Sequence, residues 1–183
     1  LLAPRIEEIY QLSDADFERT DYGWLVRFVD ASQSRSGQTK LKTDESARRI
    51  PIYSKQFSEL DQWLCERTTS GGYIFPDGSD TKYGIRSLSA SKRLNRLLRK
   101  LFPSDRRLVL QSTRNSAAVV MRRAGTDTRI RWRYLGHADH GIHDQHYEPG
   151  ELLDEKDLQT GAIAIAEYLY GLLDECNVAP ALG

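Results

Sequence analysis

The chain has 183 residues and a formal net charge of zero, and its length suits one domain with a single hydrophobic core. Its composition, 39% hydrophobic and 28% charged, is typical of a water-soluble globular protein, and no apolar run approaches the ~20 residues of a membrane span. Cys65 and Cys176 match no metal-binding or redox spacing, which predicts a reduced cytoplasmic protein without a membrane partner. Leu1 lies almost directly on a helical pattern, so we expect residues 1–183 to be one domain of a longer protein.

The charges are distributed unevenly along the chain. Residues 86–133 contain 14 lysines and arginines against two aspartates, a local net charge of +12, whereas residues 134–183 carry −9 and residues 1–85 carry −3. A basic block of this size is typical of a surface that binds a polyanion such as nucleic acid. The alternative interpretation is a set of solvated helix faces that bind nothing.

The first part of the chain predicts one helix and a small sheet. Apolar residues at helical spacing predict a helix over residues 5–12. Residues 24–29 and 48–53 are rich in β-branched and aromatic side chains and predict strands, and Pro51 favours an edge position for the later one. A further run over residues 39–42 follows a turn-like stretch, so we expect it to form a hairpin with the first strand.

The remainder of the chain predicts four more helices, which cover residues 54–67, 86–102, 112–124 and 160–175. We expect Ser54 to cap the first of them, with Phe57, Leu60 and Leu64 as its buried stripe. Gly125 stands where a helix C-cap is expected. Together these elements predict a mainly α-helical domain with one small antiparallel β-sheet, an α+β fold.

The helix predicted over residues 86–102 is strongly amphipathic. One face consists of leucines, namely Leu94, Leu97, Leu98 and Leu101. The opposite face consists of basic residues, namely Lys92, Arg93, Arg96, Arg99 and Lys100. This basic face is the part of the positive block that we expect to bind the polyanion.

The sequence also contains residue types that suit cleavage of a phosphodiester. Such cleavage requires a nucleophile, cations that neutralise the nonbridging oxygens, and an acid that protonates the departing oxygen. Arginine suits the oxygens because its planar guanidinium donates two parallel hydrogen bonds and stays charged. Tyrosine is a suitable nucleophile because a phosphotyrosyl ester retains the bond energy that rejoining requires.

Three segments resemble conserved boxes of the tyrosine recombinases, the phage-integrase family. PRIEEIYQL is similar to the first arginine box, which implies that Arg5 is a catalytic arginine and Glu8 an acid that supports it. KTDESARRIPI is similar to the family's β-hairpin and implies that Lys42 is the general acid. QSTRNSAAVVMRRAGTD resembles the second arginine box and implies that Arg114 is the second catalytic arginine, with Gln111 at a position where the family has histidine.

Two later segments extend the resemblance. YLGH matches the family's Leu-Gly-His and implies a catalytic His137, and HYEPG supplies Tyr147 as the nucleophile. The spacing from His137 to Tyr147 is one residue longer than is usual in the family, so His146 is the strict positional match. Tyr147 fits the role better because it precedes the Glu-Pro turn. Gln111 can donate a hydrogen bond but cannot shuttle a proton.

The resemblance implies the family's catalytic-domain fold and a site-specific recombinase or integrase that cleaves and rejoins DNA through a 3′-phosphotyrosine. Arg5, Arg114 and His137 would stabilise the transition state, and Lys42 would protonate the 5′-oxygen. No cofactor and no metal ion are expected. The partner would be double-stranded DNA, bound by a homotetramer, and the chain alone would be a monomer. The resemblance implies a bacterial or phage-encoded cytoplasmic protein, and the family's N-terminal DNA-clamping domain is absent from residues 1–183.

Two alternatives share this fold, and a third does not. The chain could be a DNA-binding module whose activity is impaired through Gln111, or it could cleave strands as type IB topoisomerases do. The third alternative is a metal site, because His137, His140, His143 and His146 recur every three residues. Gly136 and Gly141 interrupt any helix there and oppose this interpretation.

The last predicted helix carries an apolar stripe that must be buried somewhere. Ile163, Ala166, Tyr170 and Leu173 form this stripe, and acidic residues precede it. We expect the helix to dock on a neighbouring protomer on DNA, and to dock in cis or only loosely when the chain is alone.

Overall fold

The computed structural model describes residues 3–29, 47–54, 57–78, 84–137 and 154–175. Within these ranges the chain forms six helices and three antiparallel strands. The α+β class was predicted, but the helix over residues 128–135 was not. The helices are α1 (Ile6–Tyr10), α2 (Ser58–Ser70), α3 (Leu88–Leu101), α4 (Gln111–Arg123), α5 (Thr128–Leu135) and α6 (Glu155–Glu175). The strands are β1 (Phe17–Thr20), β2 (Gly23–Phe28) and β3 (Arg48–Tyr53). None of the described helices is long and apolar enough to cross a membrane.

The sheet has the order β1-β2-β3, so among the described strands β3 lies at an edge, as Pro51 predicts. Leu25 on β2 is the register partner of Pro51, and Val26 is the partner of Ile50. The hairpin between β1 and β2 was not predicted, because β1 has only four residues and little alternation. The predicted run over residues 39–42 lies outside the described residues.

Helices α4, α5 and α6 pack together on one side of β3. Tyr134 on α5 is buried among them, and its hydroxyl donates a hydrogen bond to the carbonyl of Leu158 (2.8 Å) and lies 3.2 Å from the carbonyl of Pro51. Gly161 on α6 allows this close approach, since a Cβ there would lie 2.9 Å from the Tyr134 ring. One tyrosine therefore connects α5, α6 and β3.

Helix α6 begins earlier than predicted and packs on the chain's own core. Leu158, Ala162 and Ala166 are buried, whereas Tyr170 is 53% exposed, so the buried face differs from the predicted stripe. Because the helix begins at Glu155, its first turn also contributes to the core. In the single chain the helix therefore packs in cis, and its docking on a neighbouring protomer stays a prediction.

Two local predictions were wrong. Ser54 does not cap α2, since the cap position is Phe57; the Ser54 hydroxyl donates instead to Asp61 (2.5 Å). Leu64 is fully buried in the predicted stripe of α2, but Leu60 is 36% exposed.

The prediction for the end of α4 is confirmed, because Gly125 follows the helix in a left-handed conformation with φ +75°.

The leucine face of α3 is largely exposed. Leu97 and Leu101 are 49% and 60% exposed, and Leu94 is also exposed. The helix contacts the body instead through Ala90, which is fully buried, and through Asn95, whose amide oxygen accepts a hydrogen bond from the Leu110 main chain (2.8 Å). The amphipathic pattern therefore identified the helix but not the side that packs.

Asp61 connects α2 to the sheet through one carboxylate oxygen. This Oδ1 accepts hydrogen bonds from Arg19 Nη1 (2.5 Å), Ser54 Oγ (2.5 Å) and Trp24 Nε1 (3.0 Å). The Arg19 hydrogen bond is the main cause that lowers the pKa of Asp61 to about 2.

We expect Asp61→Ala to lower the free energy of unfolding by about 1–3 kcal/mol at pH 7, because three donors lose their acceptor. The folded-state pKa is depressed, so this contribution is present above the unfolded pKa of about 4 and is lost as the pH falls through 2. Urea denaturation from pH 7 to pH 2 measures the difference. Glu59→Ala, an exposed acid of the same helix, should have little effect, and a difference that stays constant down to pH 2 would contradict the role of the charge.

Candidate active site

The structure brings together four of the residues that the resemblance implies. Arg5 lies at the N-cap of α1, Glu8 lies in its first turn, Arg114 lies in α4, and His137 follows α5. These positions come from three separate parts of the chain. Lys42 and Tyr147 lie outside the described residues.

Glu8 is the acidic centre of this cluster. Its carboxylate is buried and accepts hydrogen bonds from the main-chain N–H of Arg5 (2.7 Å) and from Arg5 Nη1 (2.9 Å), so the pair closes the start of α1 as a capping box. It also forms an ion pair with Arg48 Nη2 (2.9 Å). Burial raises the pKa of Glu8, but Arg48 and Arg5 together outweigh burial and lower it. Glu8 is therefore a carboxylate at neutral pH.

Arg114 lies beneath the site with only 5% of its surface exposed. Its Nη1 donates to the carbonyl of Ala3 (2.5 Å), and its Nη2 donates to the carbonyl of Leu135. These bonds place it between the segment before Arg5 and the segment before His137. Burial lowers the pKa of Arg114 to about 10, with the positive charge of Arg5 as the next cause.

His137 lies on the exposed rim of the cluster. It follows Gly136, which ends α5 in the left-handed conformation with φ +59°. Partial burial lowers the pKa of His137, and the charges of three arginines lower it further; these are Arg114, Arg5 and Arg48. The histidine is therefore neutral at pH 7 in the free protein and able to donate a hydrogen bond.

Sequence reasoning missed Arg48, which it assigned only to a strand. The Arg48 side chain is completely buried, and its guanidinium lies 4.4 Å from the centre of the Phe28 ring. A signal was present, because Arg48 alternates with Ile50 and Ile52 and so falls on the inward face of β3. An inward arginine requires a buried acid, and Glu8 supplies it.

Gln111 is the first residue of α4 and lies one turn before Arg114. It is exposed and lines a cleft of about 280 Å³ together with Ile6, Ile9 and Asn95. The cleft reaches Arg114, so a ligand at the arginine cluster would adjoin it. Gln111 can offer a neutral hydrogen bond at this position.

The predicted basic face of α3 is exposed along its whole length, at Lys92, Arg93, Arg96, Arg99 and Lys100. Arg93 pairs with Asp77 at this surface. Glu7 on α1 holds the start of α3, since its carboxylate accepts hydrogen bonds from the main chain of Arg86 (2.9 Å) and Ser87 (2.8 Å). The helix that carries Arg5 therefore also anchors the basic helix.

The chain matches no protein-family model, no curated protein and no solved structure. The described residues contain no group of three histidine, cysteine or acidic side chains that could hold a metal ion. His140, His143 and His146 lie outside the described residues. Among the described residues, the chemistry of the candidate site therefore depends on Arg5, Arg114 and His137.

The arrangement of charges favours an anion. Arg5, Arg48, Arg114 and His137 lie around one carboxylate, Glu8. Burial is the main cause that lowers the pKa of Arg114 and of His137, and the neighbouring positive charges lower both further. Arg5 has a 30% exposed side chain and His137 is exposed, so both can reach a ligand from solvent. A phosphate bound between them would gain charge-assisted hydrogen bonds and relieve the repulsion.

We expect inorganic phosphate to raise the pKa of His137, because a bound anion offsets the arginine charges that lower it. In phosphate-free solution this histidine should titrate below the usual value of about 6.5. NMR titration of the imidazole signals measures both values, with His137→Asn used to assign the signal. Chloride at the same ionic strength is the control, and an equal shift with chloride would contradict a phosphate site.

Proposed function

We propose that this domain cleaves and rejoins DNA through Tyr147, as a site-specific recombinase of the tyrosine type. The observation that carries the proposal is the convergence of Arg5, Arg114 and His137 around the Glu8–Arg48 ion pair. Each was implied separately by a different segment of the sequence. Functionally unrelated residues from separate parts of the chain would have no reason to lie within one electrostatic cluster.

The residues have distinct roles in the proposed reaction. The Tyr147 hydroxyl loses its proton to solvent as its oxygen attacks phosphorus, the bond from phosphorus to the 5′-oxygen breaks, and Lys42 gives the departing 5′-oxygen a proton. The products are a 3′-phosphotyrosyl ester and a free 5′-hydroxyl. Arg5 and His137 donate hydrogen bonds to the nonbridging oxygens, whose negative charge grows in the transition state. Rejoining reverses these steps with the same or another 5′-hydroxyl.

The two buried arginines, Arg48 and Arg114, would supply positive charge at fixed positions beneath the bound phosphate. Arg114 donates hydrogen bonds to two main-chain carbonyls, and within the described ranges no carboxylate accepts a hydrogen bond from it. Such preorganised charge stabilises a transition state more effectively than mobile side chains do. The exposed basic face of α3 would contact the DNA backbone, which is held by charge rather than by sequence. Recombination would join four protomers on two duplexes, and the free chain would be a monomer.

A second candidate function is DNA binding without turnover, and Gln111 favours it because a glutamine cannot exchange protons. A nicked suicide duplex distinguishes the two functions: a covalent protein–DNA band supports cleavage, and its absence with retained binding supports the binding module. Type IB topoisomerase-like activity would instead relax supercoiled plasmid as a monomer.

We expect Tyr147→Phe to abolish the covalent band and leave DNA affinity nearly unchanged, because the substitution removes only the nucleophilic oxygen. Denaturing gel electrophoresis detects the band, and fluorescence anisotropy measures binding. Tyr168→Phe, at an exposed tyrosine of α6, is the matched control and should behave as the parent. A denaturation-resistant band in Tyr147→Phe would reassign the nucleophile.

We expect Gln111→His to raise the single-turnover cleavage rate without changing DNA affinity. A histidine there adds charge and proton exchange, effects that reach about 10²–10⁴-fold in favourable sites. Gln62→His, at an exposed position of α2, controls for a general effect of an added histidine. A slower Gln111→His variant would show that the glutamine is adapted to its role.

A further inference from the structure

Arg48 is close to the proposed phosphate site but cannot touch its ligand. The side chain is 0% exposed, enclosed where β3 begins. Burial is the main cause that lowers the pKa of Arg114 and of His137, and the charge of Arg48 adds a smaller contribution to both. A buried arginine that influences the whole cluster without access to solvent can serve the reaction only through its neighbours.

The guanidinium of Arg48 contacts three different elements. Its Nη2 and Nη1 lie 2.9 and 3.4 Å from the two carboxylate oxygens of Glu8 on α1. Its plane lies over the Phe28 ring of β2. The third contact is the turn at Gly136, where a Cβ would lie 2.5 Å from Nη1 and 2.8 Å from Cζ of Arg48. The main chain next to His137 therefore rests directly on the arginine.

We propose that Arg48 is the positioning residue of the site, which holds Arg5 and His137 at a common phosphate. It orients Glu8, which fixes Arg5 through two hydrogen bonds, and it supports Gly136, which carries His137. This inference rests on the proposed function, because it assigns a role in the same phosphate site.

Only an arginine can make all these contacts. Its planar group presents two donors to the Glu8 carboxylate, while its Cζ lies 4.4 Å from the centre of the Phe28 ring and its Nη1 and Cζ lie against the turn at Gly136. A lysine would keep the positive charge but bind Glu8 through a single point and leave the turn without support. The lysine substitution therefore separates the shape of Arg48 from its charge.

Gly136→Ala tests the contact without changing any charge. Gly125→Ala is its matched control, because both glycines are left-handed, with φ +59° and φ +75°, but nothing lies within 4 Å of a Cβ at Gly125. The probe is inorganic phosphate at constant ionic strength, followed through the NMR signal of the His137 imidazole. We expect Gly136→Ala to weaken phosphate binding about tenfold, as when one hydrogen bond to a charged group is misaligned, and Gly125→Ala to bind as the parent.

Arg48→Lys is the second test, and it decides whether Arg48 positions the phosphate site if Gly136→Ala does not fold. Its matched control is Arg49→Lys, since Arg49 is the exposed neighbour on the same strand and pairs with Glu18 at the surface. We expect about a tenfold loss of phosphate affinity for Arg48→Lys and none for Arg49→Lys. Thermal unfolding by circular dichroism confirms that each variant is folded under the titration conditions. A variant that is less stable but still folded should bind phosphate as the parent does, so a loss of affinity is not explained by lost stability.

Arg5→Gln separates the failure of this inference from the failure of the proposed function. If Arg5→Gln weakens phosphate binding while folded Gly136→Ala and Arg48→Lys bind as the parent does, the positioning role is overturned and the phosphate site stands. If Arg5→Gln also binds phosphate as the parent does, the site itself is overturned and the role of Arg48 falls with it. Loss of affinity in all three variants, with both controls unchanged, supports the proposal.

Discussion

The buried carboxylate of Glu8 is the group on which the rest of the site depends. It holds the main chain and side chain of Arg5 and the guanidinium of Arg48 at once, and so fixes a five-residue helix that would not be stable alone. Removal of one partner from a buried ion pair typically costs about 3–5 kcal/mol, because the other charge is left unpaired. Because the cost of removing both charges from water offsets most of their attraction, the intact ion pair fixes the positions of Arg5 and Arg48 more than it raises the free energy of unfolding.

Other carboxylates organise the domain in the same manner. Glu7, adjacent to Glu8, accepts the two main-chain N–H groups that begin α3, while Glu8 faces β3. Asp61 accepts hydrogen bonds from side chains of β1, of β2 and of Ser54, which follows β3. The short helix α1 therefore connects the basic helix to the arginine cluster, and the proposed DNA contact and the proposed chemistry share one support.

The sequence predicted those elements whose local pattern agrees with their final environment. β3, α4 and the left-handed Gly125 are of this kind, because edge strands and helix ends have local signals. β1 escaped prediction because four residues carry too little periodicity. The side of α3 that packs on the rest of the domain was also not predicted, because Asn95 and Ala90 make the contacts and the larger leucines do not.

The site was predictable only as far as a resemblance could indicate its members. Arg5, Arg114 and His137 stand in recognisable segments, and the structure brings them together. Arg48 stands in one of these segments, KTDESARRIPI, but the resemblance assigned it no role, because its role follows from a contact with Gly136, 88 residues away in the chain. Contacts between distant segments arise from the tertiary fold, and a local pattern does not encode them.

The hydrogen bonding of Tyr134 has a further consequence, for self-association. β3 is an edge among the described strands, and an open edge offers unpaired N–H and carbonyl groups to a strand of another molecule. At Pro51 there is no N–H to offer, and the carbonyl already faces the Tyr134 hydroxyl. At this position the described edge of β3 therefore offers neither kind of hydrogen bond, which opposes its pairing with a strand of another molecule.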